Sequence, residues 1–195
     1  EIADLRDLLA TRLRLAAAWK AKREALDAEV IRAPIFIVGM PRSGSTFLHE
    51  LLAADPANRA PRVWEVMFPL AASPAGNPDR ACCVRKAEAC LWWFRRLARR
   101  ADEVYPMRAG TPHECVAIQS HTFLSQEFPS TCRLPEYEAF LRGADLTPAY
   151  TWERRFLQHL QLEAPSRRWV LKSPDHVYGL DELFSVFPDA HILQP

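Results

Sequence analysis

The sequence predicts an α/β fold, a parallel sheet flanked by helices, on three observations. A short β-rich run, Ile35 to Val38, bounded by Pro34 and Gly39, passes through a glycine-containing loop into a run of helical spacing from Ser45 to Ala54. Near the other end of the chain, Arg168 to Leu171 reads as a buried strand, Asp175 to Phe187 as a helix and Ala190 to Gln194 as a second strand. Between these two units lies a long stretch with helical periodicity, a helical insertion separating the first strand from the later ones.

The elements follow in order. From Ile2 to Val30, apolar residues recur at Ile2, Leu5, Leu9, Leu13, Ala16, Trp19, Leu26 and Val30 with arginine and lysine between them, which predicts one amphipathic helix. Ala71 to Asp79 is rich in proline, glycine and asparagine and reads as a surface loop, followed by a helix over Ala81 to Arg100 that ends in basic residues. Thr111-Pro112-His113-Glu114 combines a cap residue, a proline at the first helical position and a glutamate three residues after the cap, so a helix is expected from there towards Glu127, with Glu114 as its capping-box residue. Another helix is expected from Pro148 to Leu162. No internal repeat interrupts this order, and residues 1–195 read as a single domain.

Composition narrows the function. Lys+Arg 25 against Asp+Glu 24 leaves a net charge of +1, so no global field attracts nucleic acid and any anion site is local. The cysteines Cys82, Cys83, Cys90, Cys115 and Cys132 contain no CxxC pair and are odd in number, which argues against a disulfide framework and for a reducing, cytoplasmic setting. Histidines and cysteines lack ligand spacing, so no metal is expected. No apolar run approaches the roughly 20 residues that span a bilayer.

Gly39-Met40-Pro41-Arg42-Ser43-Gly44-Ser45-Thr46 has the glycine spacing of GxxxxGK[ST], the P-loop pattern, with Ser45 in place of the lysine and Arg42 inside the loop. A strand feeding a small-residue loop and then a helix leaves several amide N–H groups unpaired at the positive end of a dipole, a ready phosphate site. Hydroxyls of Ser43, Ser45 and Thr46 add donors. Without the lysine, a P-loop nucleotide kinase becomes the weaker reading.

The run Pro41-Arg42-Ser43-Gly44-Ser45-Thr46 after a hydrophobic strand resembles the 5′-phosphosulfate loop of sulfotransferases, whose usual form is Pro-[Lys/Arg]-[Ser/Thr]-Gly-[Ser/Thr]-Thr. Ile35 to Pro56, Arg62 to Pro69, Met107 to Pro129 and Trp169 to Gln194 also resemble stretches of a bacterial-type branch of that superfamily. The resemblance implies a P-loop-type sheet, a sulfuryl donor in 3′-phosphoadenosine 5′-phosphosulfate (PAPS), no metal, and a small-molecule or glycan acceptor with a hydroxyl or amine. A catalytically inactive binding or scaffold module is the alternative.

By that resemblance Pro41, Arg42, Ser43, Gly44, Ser45 and Thr46 hold the donor, with Lys172 and Ser173 of Leu171-Lys172-Ser173-Pro174. Arg42 reaches the bridging region and Lys172 is aimed at the leaving group. Glu65, shortly after the loop helix, corresponds to a catalytic glutamate, and Trp64, Val66, Met67 and Phe68 around it would exclude water; a capping or ion-paired glutamate is the alternative. His113 is the rival base, and His176 either lines the site or steadies the loop after Lys172. Trp92, Trp93, Phe94, Phe123, Phe128, Tyr150 and Trp152 fall in segments that would supply a partly apolar acceptor pocket. The resemblance also implies an Arg-Asp-Pro turn and a serine-bearing helix after Ala190 to Gln194 to clamp the 3′-phosphate, so the domain is expected to be incomplete and inactive alone; Arg95-Arg96 and Arg99-Arg100 are the candidates to replace the clamp, though such pairs read first as a solvated helix end favoured by the dipole.

Overall fold

The structure, a computed structural model, describes residues 2–40, 42–71, 79–98, 106–162 and 167–195. It has the expected α/β architecture, a parallel sheet flanked by helices. Among the described residues the sheet has four strands in the order β2-β3-β1-β4, all parallel: β1 (Ile35–Ile37), β2 (Asn58–Arg59), β3 (Arg168–Lys172) and β4 (His191–Leu193). Ile35, Phe36 and Ile37 are all buried, as expected of a central strand covered on both faces. In register Ile37 lies opposite Lys172 on one side and Leu193 on the other, so the segments that leave these strands emerge side by side.

At the N-terminus the single helix expected to Val30 is two, α1 (Ile2–Ala21) and α2 (Arg23–Ala28), broken at Lys22. Tertiary docking accounts for the break. Asp27 pairs with Arg155 at 2.7 Å, and the Glu29 and Val30 carbonyls accept from the Gln158 and Gln161 amides. Gln161 in turn accepts from the Trp169 indole at 3.0 Å, which ties this corner to β3. Helix α3 (Ser45–Ala54) matches its expected bounds. Helix α4 (Val63–Met67) is short, and α5 (Asp79–Leu97) begins two residues before its expected start. Most of the expected loop at Ala71 to Asp79 lies outside the described residues.

The helix expected to start at Thr111 starts later. Val63 and Trp64 donate to the Thr111 and Ala109 carbonyls, His113 donates to Pro61, and Arg62 and Pro112 form an antiparallel bridge. Residues 109–113 therefore form a non-helical strap that turns at Ala109–Gly110 and lies against residues 61–64, and α6 covers only Cys115–Gln119, with Glu114 extended at its cap position. A 3₁₀ turn over Ser120–Thr122 follows and stops at Phe123, whose φ of 59° lies in the left-handed region. The chain continues through α7 (Glu127–Thr131), α8 (Pro135–Arg142) and α9 (Thr147–Gln161). After β3, Pro174–Tyr178 is a 3₁₀ turn, which leaves α10 (Leu180–Val186) shorter than the expected helix. Phe36, Leu171, Phe156, Leu160 and Phe187 form the core between sheet and helices, and Trp19 of α1 packs on Trp152 of α9 at 4.4 Å between ring centres. Among the described residues no helix is long and apolar enough to cross a membrane.

Candidate active site

The site lies beyond the carboxyl ends of β1 and β3, where ligands of open α/β sheets bind. Arg42 and Gly44 both take left-handed backbone, φ 72° and 83°, and so bend the loop that turns the chain from β1 into α3. Ser43 N–H returns to the Met40 carbonyl, and the Gly44 carbonyl receives Leu48 N–H as the first bond of α3. The amides of the first turn of α3 have no acceptor inside the helix and lie at the positive end of its dipole. Ser43 Oγ is buried without a hydrogen-bond partner among the described residues. Gly39 keeps the loop close, since an added Cβ there would lie 2.8 Å from Ser43 Oγ and 3.3 Å from Pro195 Cδ. Arg42 is exposed, and Pro41 lies outside the described residues.

Lys172, the last residue of β3, is buried, although lysine rarely is. Its ammonium donates to Thr46 Oγ1 at 3.5 Å and to the Glu114 carboxylate. The register explains the meeting with Thr46: Lys172 stands beside Ile37, two residues before the loop begins. Ser173, fully buried, accepts the Asp175 N–H at 3.3 Å and starts the following turn, so its hydroxyl serves as a cap.

Two glutamates have exchanged their expected structural places. Glu114 makes no side-chain cap bond to α6 and instead reaches Lys172, because the strap over residues 109–113 moves the helix start past it. Glu65 is the capping residue: its Oε2 accepts the Arg62 N–H at 2.9 Å and its Oε1 accepts Arg59 Nη2 at 3.1 Å. Arg59 also lies over the Trp169 ring at 4.7 Å and donates to the Leu160 carbonyl, so Glu65 belongs to a buried ionic knot under α4. Trp64 and Val66 are buried beside it, whereas Met67 is exposed.

His113 Nδ1 is buried without a partner among the described residues, and burial, with the nearby His49 and Lys172, holds its pKa down to about 4. His49 donates Nε2–H to the Val170 carbonyl at 3.0 Å and is likewise held to about 4, chiefly by burial. Both imidazoles are neutral near pH 7. His176 faces the core, edge-on to Phe36 and hydrogen-bonded through Nδ1 to the Tyr150 hydroxyl, so it steadies the turn after Lys172.

The expected acceptor aromatics scatter. Trp92, Trp93 and Phe94 are exposed on α5, Phe123 and Phe128 stack together at 5.5 Å, and Trp152 packs on Trp19. Only Tyr150 joins a cavity of about 460 Å³, lined also by Gln119, Ser125, Asp175, Tyr178 and Glu182. Arg95 pairs with Glu88 at 3.8 Å and Arg96 lies over Trp92, while Arg99 and Arg100 fall outside the described residues. Linear spacing also concealed a fully buried group, Cys115, Glu153 and His176, which three separate elements bring together. Burial pushes the Cys115 thiol up, lifts Glu153 to about 7 and lowers His176 to about 3.

A sequence model of the sulfotransferase family matches residues 34–194. The omega-hydroxy-beta-dihydromenaquinone-9 sulfotransferase Stf3 of Mycobacterium bovis and its counterpart in Mycobacterium tuberculosis are each 27% identical over 88% of this chain and 43% of their own length. The crystal structure of sulfotransferase STF1 from Mycobacterium tuberculosis H37Rv superposes with a TM-score of 0.84 at 33% identity, covering 97% of this chain and 52% of that one. Sulfotransferase STF9 from Mycobacterium avium superposes with a TM-score of 0.78 at 30% identity, covering 98% of this chain and 49% of that one. The chain thus spans about half the length of the relatives it matches, with the strand, loop and helix around Gly44 inside the matched region, and it belongs to the sulfotransferase family.

Proposed function

We propose that this chain forms the donor-binding part of a sulfotransferase, moving a sulfuryl group from PAPS to a hydroxyl or amine of a small-molecule acceptor. The observation that carries the reading is the convergence of Lys172 on Thr46 at the mouth of the strand-loop-helix unit. That unit fits an anionic donor: first-turn amides with no acceptor inside the helix, Ser43 Oγ without a partner among the described residues and a buried ammonium all lie at the carboxyl ends of β1 and β3. A Mg²⁺-dependent kinase is disfavoured because Ser45 replaces the loop lysine.

In this reading the amides from Arg42 to Thr46 and the hydroxyls of Ser43, Ser45 and Thr46 hold the 5′-phosphosulfate. Arg42 approaches the sulfuryl oxygens, and Lys172 faces the phosphate oxygen that gains charge as the sulfur–oxygen bond breaks; Ser173 orients the turn behind it. Transfer is in line, the acceptor oxygen or nitrogen attacking sulfur while the bisphosphate departs and the acceptor loses its proton. Two carboxylates compete for that proton. Glu114 is favoured because it already touches Lys172, and Glu65 is the alternative, its carboxylate held by Arg59 and the Arg62 amide. His113 is a weak proton acceptor at a pKa of about 4. The acceptor enters near the cavity beside the Ser173–Asp175 turn, whose Tyr178, Asp175 and Glu182 suit a hydroxyl-bearing molecule. The Stf3 relatives are named for an omega-hydroxy compound, which fits that class. The thiol state of the cysteines suits the reducing cytoplasm.

Calorimetric titration with adenosine 3′,5′-bisphosphate, set against ATP with Mg²⁺, tests the reading. Saturable binding of the bisphosphate and none of ATP is expected; the reverse pattern overturns it.

A further inference from the structure

We propose that Cys115, Glu153 and His176 form a structural zinc site directly behind the reactive lysine. Cys115 comes from the first position of α6, Glu153 from the middle of α9 and His176 from the 3₁₀ turn after β3. One ligand atom from each, a thiol sulfur, a carboxylate oxygen and an imidazole nitrogen, all lie within 4.8 Å of one another, and all three residues are buried. Bringing three groups of this type together in a dry interior without an ion is costly, because each desolvated polar atom needs a partner. Here His176 Nε2 has none among the described residues, and buried Glu153 Oε1 meets no donor of good geometry, only the Cys115 thiol beside the carboxylate.

For Glu153 and His176 the atoms with partners are the ones a metal would leave unused, whereas the Cys115 thiol is in hydrogen-bonding contact with Glu153 and the Lys172 backbone, contacts that the ion would replace. Gln119 donates to Glu153 Oε2 at 2.8 Å, and the Tyr150 hydroxyl bonds His176 Nδ1 at 3.1 Å. Each of these two ligands is therefore held in orientation by its far atom, the arrangement that fixes metal-binding histidines and carboxylates elsewhere. The donor set selects the ion. Thiolate with imidazole and a single carboxylate suits Zn²⁺ and disfavours Mg²⁺ or Ca²⁺, with water in the fourth tetrahedral position. One divalent ion with one thiolate and one carboxylate sums to zero charge, which a buried site tolerates. Gln119 and Tyr150, the partners of two of the ligands, also line the cavity of about 460 Å³.

The site bears on the reactive pair through the backbone. Cys115 follows Glu114, and His176 lies four residues after Lys172, so one ion clamps both sides of the Lys172–Glu114 contact. It acts as a positioning element and touches neither donor nor acceptor.

The test uses the whole chain, stripped with chelator and titrated with Zn²⁺ against a chromophoric competitor, then with Co²⁺ as an optical probe. One zinc per chain is expected, with a rise in melting temperature and, for Co²⁺, a thiolate-to-cobalt charge-transfer band. Cys115→Ser removes that band, and Glu153→Gln weakens zinc binding by about 100-fold or more. Wild-type protein that stays folded and takes up well below one equivalent of either ion overturns the proposal, and so does a charge-transfer band that survives in Cys115→Ser, because the ion then sits on another cysteine. Should Cys115→Ser fail to fold, by circular dichroism, the wild-type stoichiometry and the Glu153→Gln titration decide alone.

Discussion

Glu114 stands three residues after Thr111, the cap expected from the sequence, and Glu65 three residues after Arg62, the cap that the structure uses, and the exchange of their structural places shows how a local rule is decided by its surroundings. The Thr-x-x-Glu pattern selects Glu114 because threonine has the capping side chain, yet the backbone around Thr111 is already spent on pairing with residues 61–64. Glu65 uses the other half of the motif, accepting from the Arg62 amide, a bond that needs no particular side chain at residue 62. The consequences separate in experiment. Glu65→Gln leaves Arg59 buried without its anion and should cost about 1–3 kcal/mol, read as a lower denaturant midpoint. Glu114→Gln likewise leaves a buried cation, Lys172, without its anion and should cost a comparable amount of stability, but it alone should lower the rate of the proposed sulfuryl transfer in the full-length enzyme and remove its acid limb. If instead Glu65→Gln removes the acid limb and Glu114→Gln keeps it, the proton acceptor is Glu65. Lys172→Ala in the same enzyme should lower turnover by about 10²–10³, the usual effect of removing one preorganised donor to developing charge. Near-normal turnover would remove Lys172 from the mechanism.

Among the elements, the unit from β1 to α3 was legible because everything that specifies it is local: a β-rich run, glycines where the chain turns, and helical spacing from Ser45. Gly44 carries the argument furthest. Its φ of 83° disfavours any side chain, but an added Cβ would meet nothing within 4 Å, so substitution strains the backbone without disturbing packing. Gly44→Val should therefore lower stability by about 1–2 kcal/mol, keep the far-ultraviolet circular dichroism nearly unchanged, and abolish calorimetric binding of adenosine 3′,5′-bisphosphate. Retained affinity would move the phosphate elsewhere. The segment from Thr111 to Glu127 was misread for the complementary reason. Its helical periodicity is genuine over Cys115–Gln119, but the bridge at Pro112 and the left-handed Phe123 delimit it, and the strap's partners lie about fifty residues earlier in the chain.

At the scale of the molecule, burial of neutral imidazoles makes folding sensitive to acid. His49 and His113 are both held to about 4, mainly by burial, whereas in the unfolded chain each titrates near 6.5. Below pH 6.5 the unfolded state therefore binds protons that the folded state refuses. The stability these groups contribute is complete above pH 6.5 and is lost progressively as the pH falls towards 4. Urea midpoints measured across that window should decline with falling pH, and His49→Gln should flatten the decline. A midpoint independent of pH between 4 and 6.5 would contradict the buried, neutral state of both rings.

The sequence by itself determined the class of fold, the strand, glycine loop and helix from Ile35 to Ala54, the lysine at the end of the partner strand and the family, because each rests on short-range pattern: alternation or helical spacing, turn residues, and a strand end followed by Lys172-Ser173-Pro174. Tertiary structure alone decided which carboxylate meets Lys172, that Ser173 and His176 face inward, and that Cys115, Glu153 and His176 converge. Those outcomes depend on parallel register and on the packing of α6 and α9 against the turn after β3, contacts between residues tens of positions apart. No local periodicity encodes them, since each element's pattern states only which face is buried and leaves open what that face will meet.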